Sequence, residues 1–185
     1  MDRHTPSTQE GLCLMRIACS IQLTKSQLAQ GIAGAECIFV PDVRFTTWEP
    51  FADDRQLPWG LKVYRSLEQT RKARASQLRY RRHGLAPEVG ETVRVWLPER
   101  SAPRYGYFTE QIDGETCESM YDDGTISFDN MPRHFWDTID RLKKLGYSDL
   151  DQHLENLMFD TRRLRWVAID FGAYSNKPPK KETAA

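Results

Sequence analysis

Apolar and polar residues alternate through the first half of the chain in a way that predicts several β-strands. In Trp59–Tyr64, Leu61 and Val63 fall on one face and Lys62 and Tyr64 on the other, and residues 92–97 also alternate, the pattern of a strand with one buried face. Residues 12–23 hold a partly alternating apolar run, and residues 36–40 form a short apolar segment. Residues 105–112 are expected to pair with 92–97. The pattern therefore predicts five strands.

Two longer segments have the composition of helices. Residues 67–82 contain no Gly or Pro and many strong helix formers, and Gly84 follows as an end signal. In the second half, apolar residues recur at helical spacing across residues 135–145, and Gly146 provides the next end signal. The pattern predicts one helix in each half.

Two short apolar segments close the patterned part of the chain. Residues 157–159 and 166–169 are separated by a polar stretch that contains Arg162 and Arg163, which predicts a β-hairpin. The order is then strands, a helix, strands, a helix and a hairpin. This order indicates the α+β class.

Length and charge restrict the function. The 185 residues suit one domain, which we place at residues 11–176 between a disordered leader (1–10) and a disordered tail (177–185). Lys plus Arg and Asp plus Glu both number 26, so the balanced charge argues against a nucleic-acid binder. The sequence lacks the apolar run of about 18 residues needed to span a membrane, and its leader lacks a signal-peptide core.

Cysteine and histidine spacing gives no metal site. No two of the cysteines stand in a Cys-x-x-Cys pair, and the four histidines are scattered, so we expect reduced thiols and no site of protein ligands alone. A disulfide between some pair stays open. Residues 71–82 are basic and lack any acid, which fits a solvated helix face or a docking surface for an acidic partner.

The predicted hairpin carries two linked patterns of chemical interest. Asp151 and Asn156 form Asp-x-x-x-x-Asn, and Asp170-Phe171-Gly172 begins 14 positions after Asn156. In phosphoryl transfer from ATP, one Asp orients the attacking hydroxyl, while an Asn five residues later and the Asp of Asp-Phe-Gly hold Mg²⁺. Each pattern alone is weak, but both at this separation, with a strand between them, favour that chemistry.

The first half supplies further parts in the matching order. Gly31 and Gly34 lie between two predicted strands, where glycines let backbone N–H groups approach phosphates. Lys62 follows on a strand, and the predicted helix comes after it. A tight turn and a solvated lysine are the ordinary explanations of these features in isolation. Their order along the chain favours a nucleotide site.

From about residue 28 to residue 172, the series resembles the protein-kinase-like superfamily. It is most similar to minimal bacterial effector-type kinases with a truncated C-lobe. The resemblance implies an N-lobe at about residues 11–112, built from a five-stranded antiparallel sheet and one helix. A truncated, mainly helical C-lobe would occupy about residues 113–176.

The resemblance also implies ATP, Mg²⁺ or Mn²⁺, and a set of site residues. Asp151 and Lys62 would be catalytic, and Asn156 and Asp170 would bind the metal. A backbone hinge at residues 110–112 would bind adenine. The implied nucleotide-binding residues are Gly31, Gly34, Ala35, Glu36, Lys62, Gln77, Glu110 and Ile112.

Three departures from the family pattern affect the expected activity. The His-Arg-Asp sequence of the family reads Asp149-Leu150-Asp151 here, so we expect no control by loop phosphorylation. Gln77 stands where the family pairs a glutamate with the strand lysine, and an amide cannot neutralise Lys62. Only 13 residues follow Gly172, too few for the peptide-docking platform. Recognition would then depend on a folded protein substrate, such as a host protein, or on self-phosphorylation.

Three functions follow from this series. The preferred one is a serine/threonine protein kinase, and the alternative is a pseudokinase, a binding module that keeps the fold without catalysis. A small-molecule kinase is the third, although such enzymes build their acceptor pocket from later helices. We expect a cytoplasmic protein or one secreted into a host cell as an effector, with no membrane partner; a phage origin stays open.

Overall fold

A large sheet of six strands organises the first part of the molecule. The computed structural model describes residues 17–34, 36–43, 58–147 and 154–171. In spatial order the strands are β1, β5, β6, β4, β3 and β2, and all neighbours are antiparallel except β1 and β5. Their bounds are β1 Cys19–Gln22, β2 Ile32–Ala33, β3 Cys37–Val40, β4 Trp59–Tyr64, β5 Val89–Trp96 and β6 Arg104–Glu110.

The prediction of five antiparallel strands was wrong in number and in one direction. All five predicted strands are present, but β2 adds a sixth whose two residues are both exposed, so the sequence shows no apolar alternation there. Strand β1 runs parallel to β5, with Cys19 opposite Val93. Strand β5 also begins earlier than predicted, beyond a register shift between Val89 and Thr92.

Two helices accompany the large sheet. Helix α1, Lys25–Ala29, was not predicted and begins with a capping box in which Thr24 and Gln27 exchange hydrogen bonds. Helix α2, Leu67–Arg81, agrees with the prediction. Its N-cap is Ser66, whose hydroxyl accepts a hydrogen bond from the Gln69 N–H. Its inward face consists of small or polar residues and one aromatic: Thr70, Ala73, Ser76, Gln77 and Tyr80.

A small sheet and two helices form the second part. The small sheet has the order β7-β8-β9, and its β8–β9 hairpin is the predicted one, with Leu157 opposite Ala168. The new elements are β7 Gly114–Thr116, α3 Cys117–Asp122, α4 Arg133–Lys144, β8 Leu157–Asp160 and β9 Arg165–Ala168. The sequence analysis predicted α4 and the hairpin but not β7 or α3. The described C-terminal part therefore combines two helices with a sheet.

Two large hydrophobic cores and a small third cluster of Tyr64, Ala73 and Tyr107 hold the described layers together. The first covers one face of the large sheet and includes Leu61 and Val63 of β4. The second joins Tyr80 of α2 to Leu142 of α4 and Trp166 of β9, and so connects the helix that packs on the large sheet to the small sheet. The end of β9 lies near the face of β4 opposite Leu61 and Val63, because Lys62 on that face donates a hydrogen bond to the carbonyl of Ile169, just after β9. No helix in the described ranges is long and apolar enough to cross a membrane.

Candidate functional site

Lys62 points from the large sheet toward the end of the β8–β9 hairpin. Its neighbours Leu61 and Val63 enter the first core, so the alternation of β4 directs Lys62 to the opposite face. The residue is 8% exposed, and its Nζ donates a hydrogen bond to the carbonyl of Ile169. Nζ also lies 6.0 Å from the ring centroid of Phe171. The strand lysine is therefore buried beside Asp170.

Asn156 and Asp170 lie at the same end of the β8–β9 hairpin. Asn156 immediately precedes β8, and its carbonyl accepts the Ile169 N–H at 2.9 Å. Asp170 follows Ile169, and the Tyr147 hydroxyl donates to the Asp170 carbonyl at 2.7 Å. The structure thus brings together three predicted site residues, Lys62, Asn156 and Asp170, from distant parts of the sequence.

Phe171 anchors this end of the hairpin in the second core. Its ring is fully buried, stacks on Tyr80 with centroids 5.4 Å apart, and meets Tyr147 edge-on at 6.0 Å. Tyr80 belongs to α2, so the aromatic contacts tie the residue after Asp170 to the helix behind Lys62. This packing fixes the backbone that carries Asp170.

The β2–β3 hairpin lies next to the same residues. Burial raises the pKa of the Cys37 thiol on β3, the Lys62 charge opposes that shift, and the Asp170 charge adds to it. The Cys37 thiol is therefore close enough to Lys62 and Asp170 for both charges to affect its pKa. The Gly34 N–H donates to the Cys37 carbonyl at 2.9 Å and closes the hairpin turn that contains Glu36.

Gly31 and Gly34 differ in how much space their surroundings leave for a Cβ atom. A Cβ on Gly31 would lie 2.9 Å from Ile38 Cγ2 and 3.0 Å from the Leu28 carbonyl, closer than normal contact. At Gly34 the nearest atom would be the Cys37 carbonyl at 3.5 Å, an ordinary distance. Gly31 is therefore needed for the close packing of α1 against β3, whereas the Gly34 position has room for a side chain.

The side chain of Gln77 forms hydrogen bonds to β6 and to the segment before β5. Its Oε1 accepts from the Tyr107 hydroxyl at 2.9 Å, and its Nε2 donates to Thr109 Oγ1 at 2.7 Å and to the Pro87 carbonyl at 3.3 Å. Within the described residues it makes no hydrogen bond to Lys62, the residue that the family's glutamate would pair with. Gln77 instead attaches α2 to β6.

The predicted hinge is partly engaged by the protein itself. The Glu110 N–H donates to the Glu88 carbonyl at 2.9 Å, and the Gln111 N–H donates to the Pro58 carbonyl at 2.8 Å. Neither N–H is therefore available to adenine in this arrangement. For the Ile112 N–H, the described part of the chain shows no acceptor.

A buried ion-pair cluster links the hinge to the β8–β9 turn, and sequence reasoning missed it. Arg163 Nη1 lies 2.7 Å from Glu110 Oε1 and 2.8 Å from Asp160 Oδ2, and both carboxylate side chains are only 1% exposed. Burial alone lowers the pKa of Arg163, but its hydrogen bonds to Asp160 and Glu110 outweigh that effect and raise it. Asp160 and Arg163 at the turn were a visible sequence signal; Glu110, far away in the sequence, was not.

The basic residues of α2 have partners within the chain. Arg74 donates to the Gly90 carbonyl at 2.8 Å, Arg79 to the Leu145 carbonyl at 2.5 Å, and Arg81 to Glu88 at 2.7 Å. Much of the predicted basic patch therefore anchors α2 to neighbouring elements.

Some predicted site residues lie outside the described residues. Asp151, the predicted catalytic residue, and Ala35 of the glycine loop are among them, as is Gly172. Within the described ranges, no group of three or more His, Cys, Asp or Glu side chains is arranged to hold a metal ion.

Comparison with solved structures gives a loose structural likeness. No protein-family model matches this sequence, and no curated protein matches it. Among solved structures, the chain is similar to Rad53 residues 1–466 in complex with AMP-PNP, with 14% identity and a TM-score of 0.44. The likeness covers 76% of this chain and 36% of that one.

Proposed function

We propose that the chain has a protein-kinase-like fold and transfers the γ-phosphoryl group of ATP to a serine or threonine hydroxyl. One observation carries the proposal: buried Lys62 reaches the backbone of the residue before Asp170, and that residue is hydrogen-bonded to Asn156. A lysine, an amide and a carboxylate at one point suit a phosphate chain with its metal ion.

Each gathered residue has a role in this proposal. Lys62 would bind the α- and β-phosphates, and the hairpin turn after Gly34 would cover them with backbone N–H groups. Asn156 and Asp170 offer amide and carboxylate oxygens, the donors that Mg²⁺ and Mn²⁺ prefer. Bound there, the metal ion would neutralise phosphate charge. Among the hinge residues, the Ile112 N–H would donate to adenine.

The proposal also includes the group that accepts the phosphoryl group. Asp151 would orient the attacking hydroxyl, following the Asp-x-x-x-x-Asn pattern. The substrate would be a folded protein, such as a host protein met by a secreted effector, or the chain itself. The Asp-Phe-Gly and Asp-x-x-x-x-Asn patterns support the chemistry but do not select among these substrates.

A labelling experiment tests the function. The purified protein is incubated with γ-labelled ATP, Mg²⁺ or Mn²⁺, and a cell lysate, beside Asp170→Ala and Lys62→Met variants. Arg162→Ala serves as the matched control, because Arg162 is exposed and remote from the gathered residues. Label that appears with wild type and the control, and is lost in both site variants, would support the proposal. Equal label in all four proteins would refute it.

A nucleotide-binding module without catalysis is the second candidate. The hydrogen bonds of Gln77 favour it, because they direct the residue that replaces the family's glutamate toward β6 and away from Lys62. A thermal shift with Mg-ATP that depends on Lys62, together with no label transfer, would select this candidate over the kinase.

A further inference from the structure

A pocket of about 670 Å³ lies beside the turn that joins β5 to β6. Three arginines line it, Arg65, Arg100 and Arg104, together with Glu99 and Ser101. None of these residues belongs to the site around Lys62. The pocket therefore needs a separate explanation.

The sheet register brings two of the arginines together. Tyr64 of β4 pairs with Tyr105 of β6, so the next residues outward along this antiparallel pair are Arg65 and Arg104. Arg104 also pairs with Val95 and shares its face of the sheet. That face carries the first core, opposite the face from which Lys62 projects.

The three positive charges are not balanced by the protein in the described ranges. No carboxylate of the described residues forms an ion pair with Arg65, Arg100 or Arg104. Glu99 is the acid on the pocket lining, but it pairs with Lys25 at 2.5 Å. Burial lowers the pKa of Arg104, and repulsion from Arg100 and then Arg65 lowers it further.

We propose that this arginine pocket binds a phosphate dianion, either free or as a phosphomonoester. Guanidinium groups bind phosphate oxygens through paired N–H donors, and three of them can neutralise a dianion while relieving their mutual repulsion. The Ser101 hydroxyl adds a neutral donor at the lining. A carboxylate has one charge and two oxygens and would leave more of the repulsion in place.

The same chemistry has two sources, free phosphate and a phosphorylated side chain. Isothermal titration calorimetry would compare inorganic phosphate, a blocked phosphoserine and acetate as probes. Wild type should bind phosphate or phosphoserine about tenfold more tightly than acetate. Tighter binding of phosphoserine than of inorganic phosphate would identify a phosphorylated side chain as the source, and the reverse would identify the free ion.

Two double variants locate the binding. Arg100→Ala/Arg104→Ala should weaken phosphate binding at least about tenfold, whereas Arg82→Ala/Arg133→Ala, which removes the same charge from exposed positions, should change it less than about twofold. Arg100→Lys/Arg104→Lys keeps the charge and should give an intermediate loss, because lysine lacks the paired donors. The lysine double variant also tests the proposal if the alanine double variant fails to fold.

Lys62→Met should leave phosphate binding at the arginine pocket unchanged, which separates it from the proposed nucleotide site. Equal affinity for acetate and phosphate in wild type, or equal losses in the two alanine double variants, would overturn the proposal.

Discussion

At the scale of single residues, Lys62 stands out because a charged group is buried with few partners. A lysine ammonium has three N–H donors, and the described contacts give it one carbonyl and the edge of cation–π range to Phe171. A desolvated charge with incomplete pairing costs stability. A role in binding phosphate would explain why a lysine stands on this otherwise apolar strand.

Lys62→Met tests that explanation, because a phosphate-binding role predicts a loss of label transfer without a loss of stability. Methionine has similar length and no charge, so the free energy of unfolding should stay within about 1 kcal/mol of wild type or rise. Label transfer from ATP should fall by about 10²-fold or more, because an electrostatic contact to the phosphates is lost. Urea unfolding and the labelling assay measure the two effects. A large loss of stability would instead indicate that Lys62 is structural.

Gln77→Glu tests whether the family's lysine–glutamate pair can be restored. The new carboxylate would face the Pro87 carbonyl and Thr109 in a fully buried position, with the amide donor gone. We expect a loss of about 1–3 kcal/mol in urea unfolding and no gain in label transfer. Gln77→Met, which removes the polar group altogether, is the comparison. Higher transfer in Gln77→Glu would show that α2 can turn this side chain to Lys62.

Cys37 offers a chemical reporter of the same charges. Its pKa is raised by burial, lowered by Lys62 and raised by Asp170, so Asp170→Asn should lower the pKa and Lys62→Met should raise it. At a fixed pH below the pKa, the thiolate fraction and the alkylation rate should rise in the first variant and fall in the second. Mass spectrometry measures alkylation at Cys37, with Cys117 as an internal reference. Parallel changes in both variants would contradict this arrangement.

At the scale of elements, the sequence predicted what local patterns encode. The alternation of β4 and the composition of α2 predicted both elements closely, and the order of Lys62, Asn156 and Asp170 anticipated which residues lie close together. The two-residue strand β2 had too little pattern to detect. The partner of Gln77 depends on how α2 is rotated against β6, a result of packing between distant segments that a single sequence does not reveal.

The Arg163 cluster shows the same limit and gives an element-scale prediction. Arg163→Ala leaves Glu110 without an ion pair among the described residues, and it leaves Asp160 with only a longer contact to Arg165 at 3.8 Å. Both carboxylate side chains are 1% exposed, so the free energy of unfolding should fall by about 3–5 kcal/mol. Arg162→Ala removes the next residue, whose pair with Asp113 is exposed, and should cost less than about 1 kcal/mol. Urea unfolding of both variants measures the contrast. Similar small losses would show that water reaches Glu110 and Asp160.

At the scale of the whole molecule, one core joins the small sheet to helix α2 and to the segment between α2 and β5. Tyr80, Leu85 and Ala86 extend from the first part of the chain into the cluster formed by α4 and β9, and the Ala168 N–H donates to the Leu85 carbonyl at 2.9 Å. Phe171 completes this core between Tyr80 and Tyr147. Loss of these contacts would expose apolar surface on α2 and on the small sheet.

This shared core predicts that the two sheets unfold together and that Phe171 couples them. Wild type should show coincident urea transitions by far-UV circular dichroism and tryptophan fluorescence, since Trp166 lies in the shared core. Phe171→Ala should cost about 3–5 kcal/mol and also reduce the thermal shift caused by Mg-ATP, because Asp170 loses its anchored neighbour. Phe135→Ala, a buried ring of the same core away from Asp170, should cost a similar amount but keep that thermal shift. Separate transitions in wild type would show that the sheets are independent. Equal losses of the thermal shift in the two variants would show that Phe171 acts only through global stability.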